Sequence, residues 1–117
     1  MAAGVAQIPW YATLFRGDEF EAVVREIAPV AMRYGATDYI VYRNRDDQYK
    51  FMQCATFEEK AQFEAYWYGP EFTDFRTIYQ SCYQVPVLYT WADLVIEGGI
   101  GEEPTVITGA PQEGDTV

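Results

Sequence analysis

Asp38-Tyr39-Ile40-Val41-Tyr42-Arg43, then Asn44-Arg45-Asp46-Asp47, then Tyr49-Lys50-Phe51-Met52-Gln53-Cys54-Ala55: these three consecutive runs decide how the chain is laid out. The first is rich in β-branched and aromatic residues and alternates Tyr39 and Val41 with Ile40 and Tyr42, the period of a strand. The second is polar and suited to a hairpin turn. The third returns with Tyr49, Phe51, Gln53 and Ala55 on one face and Lys50, Met52 and Cys54 on the other. Two antiparallel strands therefore occupy the middle of the chain.

Helical patterns flank this hairpin. On its N-terminal side Phe20, Val23, Val24, Ile27 and Ala31 recur at steps of three and four. Asp18 precedes Glu21 by three residues, the spacing of a capping box at a helix start. Pro29 should kink this helix near Glu26, and Gly35 is a left-handed stop. On the C-terminal side Thr56 and Glu59 have capping-box spacing before Phe57, Lys60, Phe63, Glu64 and Trp67. Gly69-Pro70 breaks that helix and opens a shorter one bearing Phe72, Phe75, Ile78, Tyr79 and Cys82.

An outer strand is expected at each end. Trp10 to Arg16 reads as the first, ended by Gly17, and Val87 to Ile96 as the last, with Val87, Tyr89, Trp91, Asp93 and Val95 on one side. The order is strand, helix, two hairpin strands, helix pair, strand. This predicts an α+β fold, the ferredoxin-like β-α-β-β-α-β arrangement with a four-stranded antiparallel sheet, over residues 8–98. Residues 99–117 read as an acidic, flexible C-terminal tail rich in Gly, Pro, Thr and Glu. Helices can cover only one face of such a sheet, yet the strands carry apolar side chains on both. Pairing with a second copy is the simplest cover.

Composition narrows the partners. The chain has 117 residues, half of them apolar and 17% aromatic, and a net charge of −10. That charge disfavours nucleic acid and anionic membrane surfaces. An RNA-recognition domain shares the strand order, but the Lys/Arg-Gly-aromatic motif is missing. Met1 to Pro9 lacks the pattern of a signal peptide, and no apolar run is long enough to span a bilayer, so the reading is of a cytoplasmic protein. Cys54 and Cys82 read as reduced, buried thiols. No zinc, calcium, phosphate-loop, dinucleotide or Gly-x-Ser-x-Gly pattern occurs, so neither metal nor cofactor is expected.

The segment Phe63-Glu64-Ala65-Tyr66-Trp67-Tyr68-Gly69-Pro70-Glu71-Phe72, with Arg76 four residues on, resembles the second-helix region of the dimeric α+β barrel superfamily. Pro86 to Val95 resembles its last strand. More narrowly, residues 9 to 97 are similar to the antibiotic-biosynthesis-monooxygenase-type proteins. The resemblance implies a homodimer whose sheets close into a barrel, with an aromatic-lined pocket between sheet and helices. It also implies cofactor-free oxygenase or cyclase chemistry on aromatic or polyketide-like molecules, beside relatives of unknown role. A substrate that forms a carbanion can reduce O₂ itself, so such a protein mainly orients and stabilises charge. The chain departs from the haem-degrading branch: it has no histidine, and Asn44, its one asparagine, lies in the turn.

The candidate catalytic residues are Trp67, Arg76 and Asp93. Trp67 would flank a planar substrate, or simply belong to the core with Phe63. Arg76 would hold a phenolate or carboxylate with its planar fork, or pair with Glu71 or Asp74. Asp93 shares a strand face with Tyr89, Trp91 and Val95. It would be a base of raised pKa in apolar surroundings, or else a paired or solvated carboxylate. Tyr11, Tyr66, Tyr79 and Tyr89 are candidates for substrate-binding hydroxyls. The competing function is a non-catalytic dimeric ligand-binding or structural protein of the same fold.

Overall fold

The computed structural model describes residues 3–101. It is an α+β fold built on one antiparallel sheet in the spatial order β2-β3-β1-β4. The strands are β1 (Gly4–Tyr11), β2 (Asp38–Arg43), β3 (Lys50–Phe57) and β4 (Thr90–Asp93). The helices are α1 (Gly17–Ile27), α2 (Lys60–Trp67) and α3 (Pro70–Ile78). The ferredoxin-like order expected from the sequence is therefore present, and α1 follows β1 while α2 and α3 follow β3. The last part of the expected tail, 102–117, lies outside the described residues.

The central hairpin forms as read. Asn44 Oδ1 accepts from the backbone N–H groups of Asp46 and Asp47, at 2.7 and 3.0 Å, which closes the turn. Phe51, Gln53, Ala55 and Phe57 are buried on the helix side of β3, while Met52 and Cys54 face the other way, half-buried. Cys82 is buried as expected; Cys54 is not fully so.

The outer strands differ from expectation. β1 starts six residues earlier than predicted and ends at Tyr11, burying Gly4, Ala6, Ile8 and Trp10 against the helices. The small residues Gly4 and Ala6 have little strand propensity of their own and are carried by pairing with β3 along their whole length. The aromatic stretch predicted to continue the strand turns instead. Arg16 N–H donates to Thr13 O, and Phe15 sits at φ 68 with its side chain exposed. The ordered part of β4 is only four residues, paired with Gly4 to Gln7. Pro9, two residues beyond Gln7 on β1, has no N–H to offer a longer partner, and the chain meets β1 again where Gln84 N–H donates to Tyr11 O.

Neither predicted capping box forms. α1 has Arg16 at its N-cap with no side-chain bond, because Asp18 and Glu21 both reach Arg43 on β2. At α2 the reciprocal pair is three residues later, Glu59 with Gln62: Gln62 Oε1 accepts from Glu59 N–H at 3.0 Å. Pro29 does not kink α1. It lies in a 3₁₀ segment, Ala28–Tyr34, that follows the helix and stops at Gly35, whose φ of 100 needs a residue without Cβ.

The core lies between sheet and helices and is dominated by rings. Trp10 is its centre, with Phe20, Phe72, Phe75 and Tyr83 at centroid distances of 5.0 to 6.2 Å. One hydrogen-bonded relay crosses it. Trp10 Nε1–H donates to Gln53 Oε1 at 2.9 Å, Gln53 Nε2 donates to the Tyr66 hydroxyl, and that hydroxyl donates to Ile27 O at 2.7 Å. Each side chain of the relay is bonded, so it ties β1, β3, α2 and the end of α1 without an orphaned group. On the opposite sheet face Tyr11, Ile40 and Tyr42 are exposed beside Met52 and Cys54. Among the described residues no helix is long and apolar enough to cross a membrane.

Candidate functional site

The sequence-derived candidates fall into two groups. Trp67, Arg76 and Tyr89 are brought together. Trp67 ends α2 with its ring 5.0 Å from Tyr89 and 5.1 Å from Phe72. Arg76, in the last turn of α3, lays its guanidinium over Trp67 at 4.3 Å and over Phe72 at 4.7 Å. Arg76 Nη2 donates to Trp67 O at 2.8 Å, while Nη1 is buried without a hydrogen-bond partner. Neither expected carboxylate pairs with it. Glu71 accepts from the Tyr34 hydroxyl and from Arg33 at 3.3 Å, and Asp74 forms no ion pair with Arg76. Burial makes the charged guanidinium less favourable, and the tyrosines Tyr83, Tyr68 and Tyr66 around it only partly offset that.

Of the other candidates, Asp93, Tyr11 and Tyr79 lie apart, while Tyr66 packs on Phe72 beside the cluster. Asp93 is exposed at the end of β4 opposite Gly4 and makes no hydrogen bond or ion pair among the described residues, so within this chain it meets water, not the apolar neighbours its strand suggested. Tyr11 is on the uncovered sheet face, donating to Asp47 Oδ2 at 2.6 Å. That bond, above all other effects, raises the Tyr11 pKa and lowers that of Asp47. Tyr66 is buried in the core; burial pushes its pKa up, and its hydroxyl is already engaged. Tyr79 packs on Phe75 and Tyr89 on Phe63.

The space between the sheet and α2–α3, around Trp67, is filled. Phe63 and Phe72 are wholly inaccessible, and Tyr66 and Trp67 are 1% and 8% exposed. An opening of about 410 Å³ exists elsewhere, between α1 and the edge strand β2. Val24, Ala28, Pro29, Val41 and Phe51 line it, with Tyr39, Glu21, Arg25 and Arg43 at its rim. Arg43 is the organiser. Its Nε donates to Gln48 O at 2.8 Å, and its Nη1 to Asp18 and Glu21 at 2.9 and 2.8 Å. Its plane lies 5.1 Å over Phe51. A Cβ on Gly17 would stand 2.5 Å from Arg43 Nη2, so a larger residue there would push the guanidinium aside. The carboxylates raise the Arg43 pKa, and Arg25 and then Arg43 hold Glu21 below its ordinary range.

Sequence reasoning missed this cavity because its polar rim is made by contacts distant in the chain. The only local signal, Asp18 with Glu21, has a second and more familiar reading as a helix cap. Among the described residues no group of three or more Cys, Asp and Glu side chains gathers as a metal site would require.

Comparison with solved structures follows the layout just described. The chain superposes on a Nitrosomonas europaea protein named "Putative antibiotic biosynthesis monooxygenase" with a TM-score of 0.72 over 80% of this chain and 91% of the other. The fold is that of the antibiotic biosynthesis monooxygenases. Identity to that protein is 12%, so the likeness is one of fold. PA3566 from Pseudomonas aeruginosa matches at a TM-score of 0.71 and 15% identity, over 80% and 95% of the two chains. SnoaB, a cofactor-independent oxygenase from Streptomyces nogalater solved as a point mutant, matches at 0.66 and 16% identity, over 78% and 91%. No family model and no curated protein matches the sequence.

Proposed function

We propose that the protein is a homodimer, paired through its uncovered sheet face, that takes a planar aromatic or polyketide-like anion at Trp67 and Arg76 and turns it over without a cofactor. The observation that carries this is Arg76: a half-buried guanidinium, stacked on Trp67, with no carboxylate to balance it and one buried N–H group unused. A buried charge left in this state costs stability, and a phenolate or enolate docked beside it would recover that cost. The sharing of a fold with a cofactor-independent oxygenase supports the chemistry. In such a reaction the substrate carbanion reduces O₂, a ring CH₂ becomes C=O, and the second oxygen atom leaves as water.

The filled interior favours the second reading, a dimeric binding or structural protein without turnover, because a substrate must displace Tyr89 or Trp67 to enter. One experiment separates the two. Dihydroxyanthracene-type substrates are incubated with O₂, free of flavin and metal, and wild type is compared with Trp67→Phe and Arg76→Met, all three first checked by sedimentation. Turnover by a dimer, cut about tenfold or more by Arg76→Met, is expected. Absent turnover, or turnover unchanged by both substitutions, defeats the catalytic reading; a monomer at micromolar concentration defeats the pairing.

A further inference from the structure

The cavity between α1 and β2 is independent of Trp67 and Arg76, and its chemistry is of another kind. Its volume, about 410 Å³, lies in the range of small-molecule sites, ~300–1,000 Å³. Its floor is apolar: Val24 and Ala28 are each 1% exposed and Phe51 4%. Ala28 and Pro29, where the chain passes from α-helix to 3₁₀ segment, both line it with short side chains. Pro29 adds no N–H donor that a ligand would need to satisfy.

The rim decides the class of ligand. It carries three charges, Glu21, Arg25 and Arg43, and Asp18, which lies outside the lining, supplies the second carboxylate that balances the two arginines. Asp18 and Glu21 hold Arg43 from one side, and Glu21 Oε2 also accepts from Arg25 at 2.9 Å. Arg43 is further spent on Gln48 O, Phe51 and the approach to Gly17. An anion arriving here must break an existing pair to gain a partner, and a cation meets two guanidinium groups. An uncharged molecule loses nothing. Tyr39, at the mouth, is the exception among these polar groups, since its hydroxyl makes no hydrogen bond within the described residues and is free to meet a neutral hydroxyl or carbonyl.

We propose that this cavity is a binding site for an uncharged, ring-bearing apolar molecule, with Phe51 and Tyr39 against the ring and Ala28 setting the depth. The site lies on the helix-covered side of the sheet, so pairing of two copies through the opposite face leaves it open.

The test uses the full chain and two probes of one shape. 2-Naphthol, neutral at pH 7, and 2-naphthoate, its anionic counterpart, are titrated calorimetrically, and the contact surface is mapped by amide chemical-shift changes. At Val24, Ala28, Val41 and Phe51 naphthol is expected to shift the amides with one-per-chain saturation and naphthoate to do so about tenfold or more weaker, any naphthoate bound at Trp67 and Arg76 being read from the shifts there. Ala28→Phe fills the space and should weaken naphthol about tenfold or more, while Arg76→Met leaves it within about twofold. Should Ala28→Phe not fold, Val41→Trp closes the same space from the half-buried edge strand. No naphthol binding, equal affinity of the two probes at the cavity amides, indifference to the filling substitution, or naphthol shifts centred on Trp67 would each overturn the proposal. Because Arg76→Met is silent here and decisive for turnover, failure of one reading is distinguishable from failure of the other.

Discussion

The two sides of the helix layer are packed by opposite means. Beneath α2 and α3, Phe63, Tyr66, Trp67 and Phe72 interlock and leave no room. Beside α1, Pro29, Tyr39 and Val41 border an open space above the buried Val24 and Ala28, with charges at its edge that neutralise each other. The difference is one of side-chain size. Rings at successive helical turns fill the volume between sheet and helix, whereas alanine and valine there do not. The resemblance in sequence drew attention to the filled side, while the open side holds the room for a ligand. Shared fold and shared site are thus separate questions in this chain.

The contrast is broken most severely from the filled side. Phe72 touches Trp10, Tyr66, Trp67 and Phe75, and all four are held by further rings. A void there cannot relax. Phe72→Ala is expected to cost about 3–5 kcal/mol in urea unfolding. A loss below about 1 kcal/mol would mean that the α2–α3 side is loosely packed after all, and the contrast would disappear.

Much of this was legible from residue order. The hairpin, the left-handed stop at Gly35 and the proline start of α3 each depend on contacts within a few residues, so local chemistry reveals them. The first strand did not follow its local preference. Trp10 to Phe15 look more strand-like than Gly4 to Pro9, but pairing with β3 overrides propensity. For the candidate site, the resemblance of the segment from Phe63 to Arg76 brought Trp67 and Arg76 into one reading, and they do touch. It could not reveal that Glu71 is taken by Tyr34 and Arg33, nor that Arg43 crosses from β2 to α1, since both depend on partners more than 20 residues away.

A smaller effect tests how the two sides are joined. The Tyr66 hydroxyl links the filled side to the end of α1, where the open side begins. Tyr66→Phe keeps the ring and strands Gln53 Nε2 and Ile27 O without their partner. The expected cost is about 1–3 kcal/mol by urea unfolding, with amide exchange quickened at Ala28 to Ala31. Unchanged exchange there would show that α1 is positioned by its apolar face alone.

The smallest effect lies at the rim of the open side and carries a sign. Arg25 first, and Arg43 second, hold the Glu21 carboxyl below its ordinary pKa. Its share of stability is therefore complete above the unfolded value, about 4.3, and is lost as pH falls through the lower folded value. The side chain is about one-third exposed, so solvent screens the pairs and the share is under about 1 kcal/mol. Other carboxylates titrate in the same window, Asp47 and Glu71 among them, so the useful quantity is the difference between wild type and Glu21→Gln. That difference should favour wild type at pH 7 and shrink as the pH falls below the unfolded value and through the lower folded one. The opposite trend, wild type gaining on the variant in acid, would mean that the rim charges do not neutralise one another. The cavity would then be open to ions, and the distinction between its two sides would rest on volume alone.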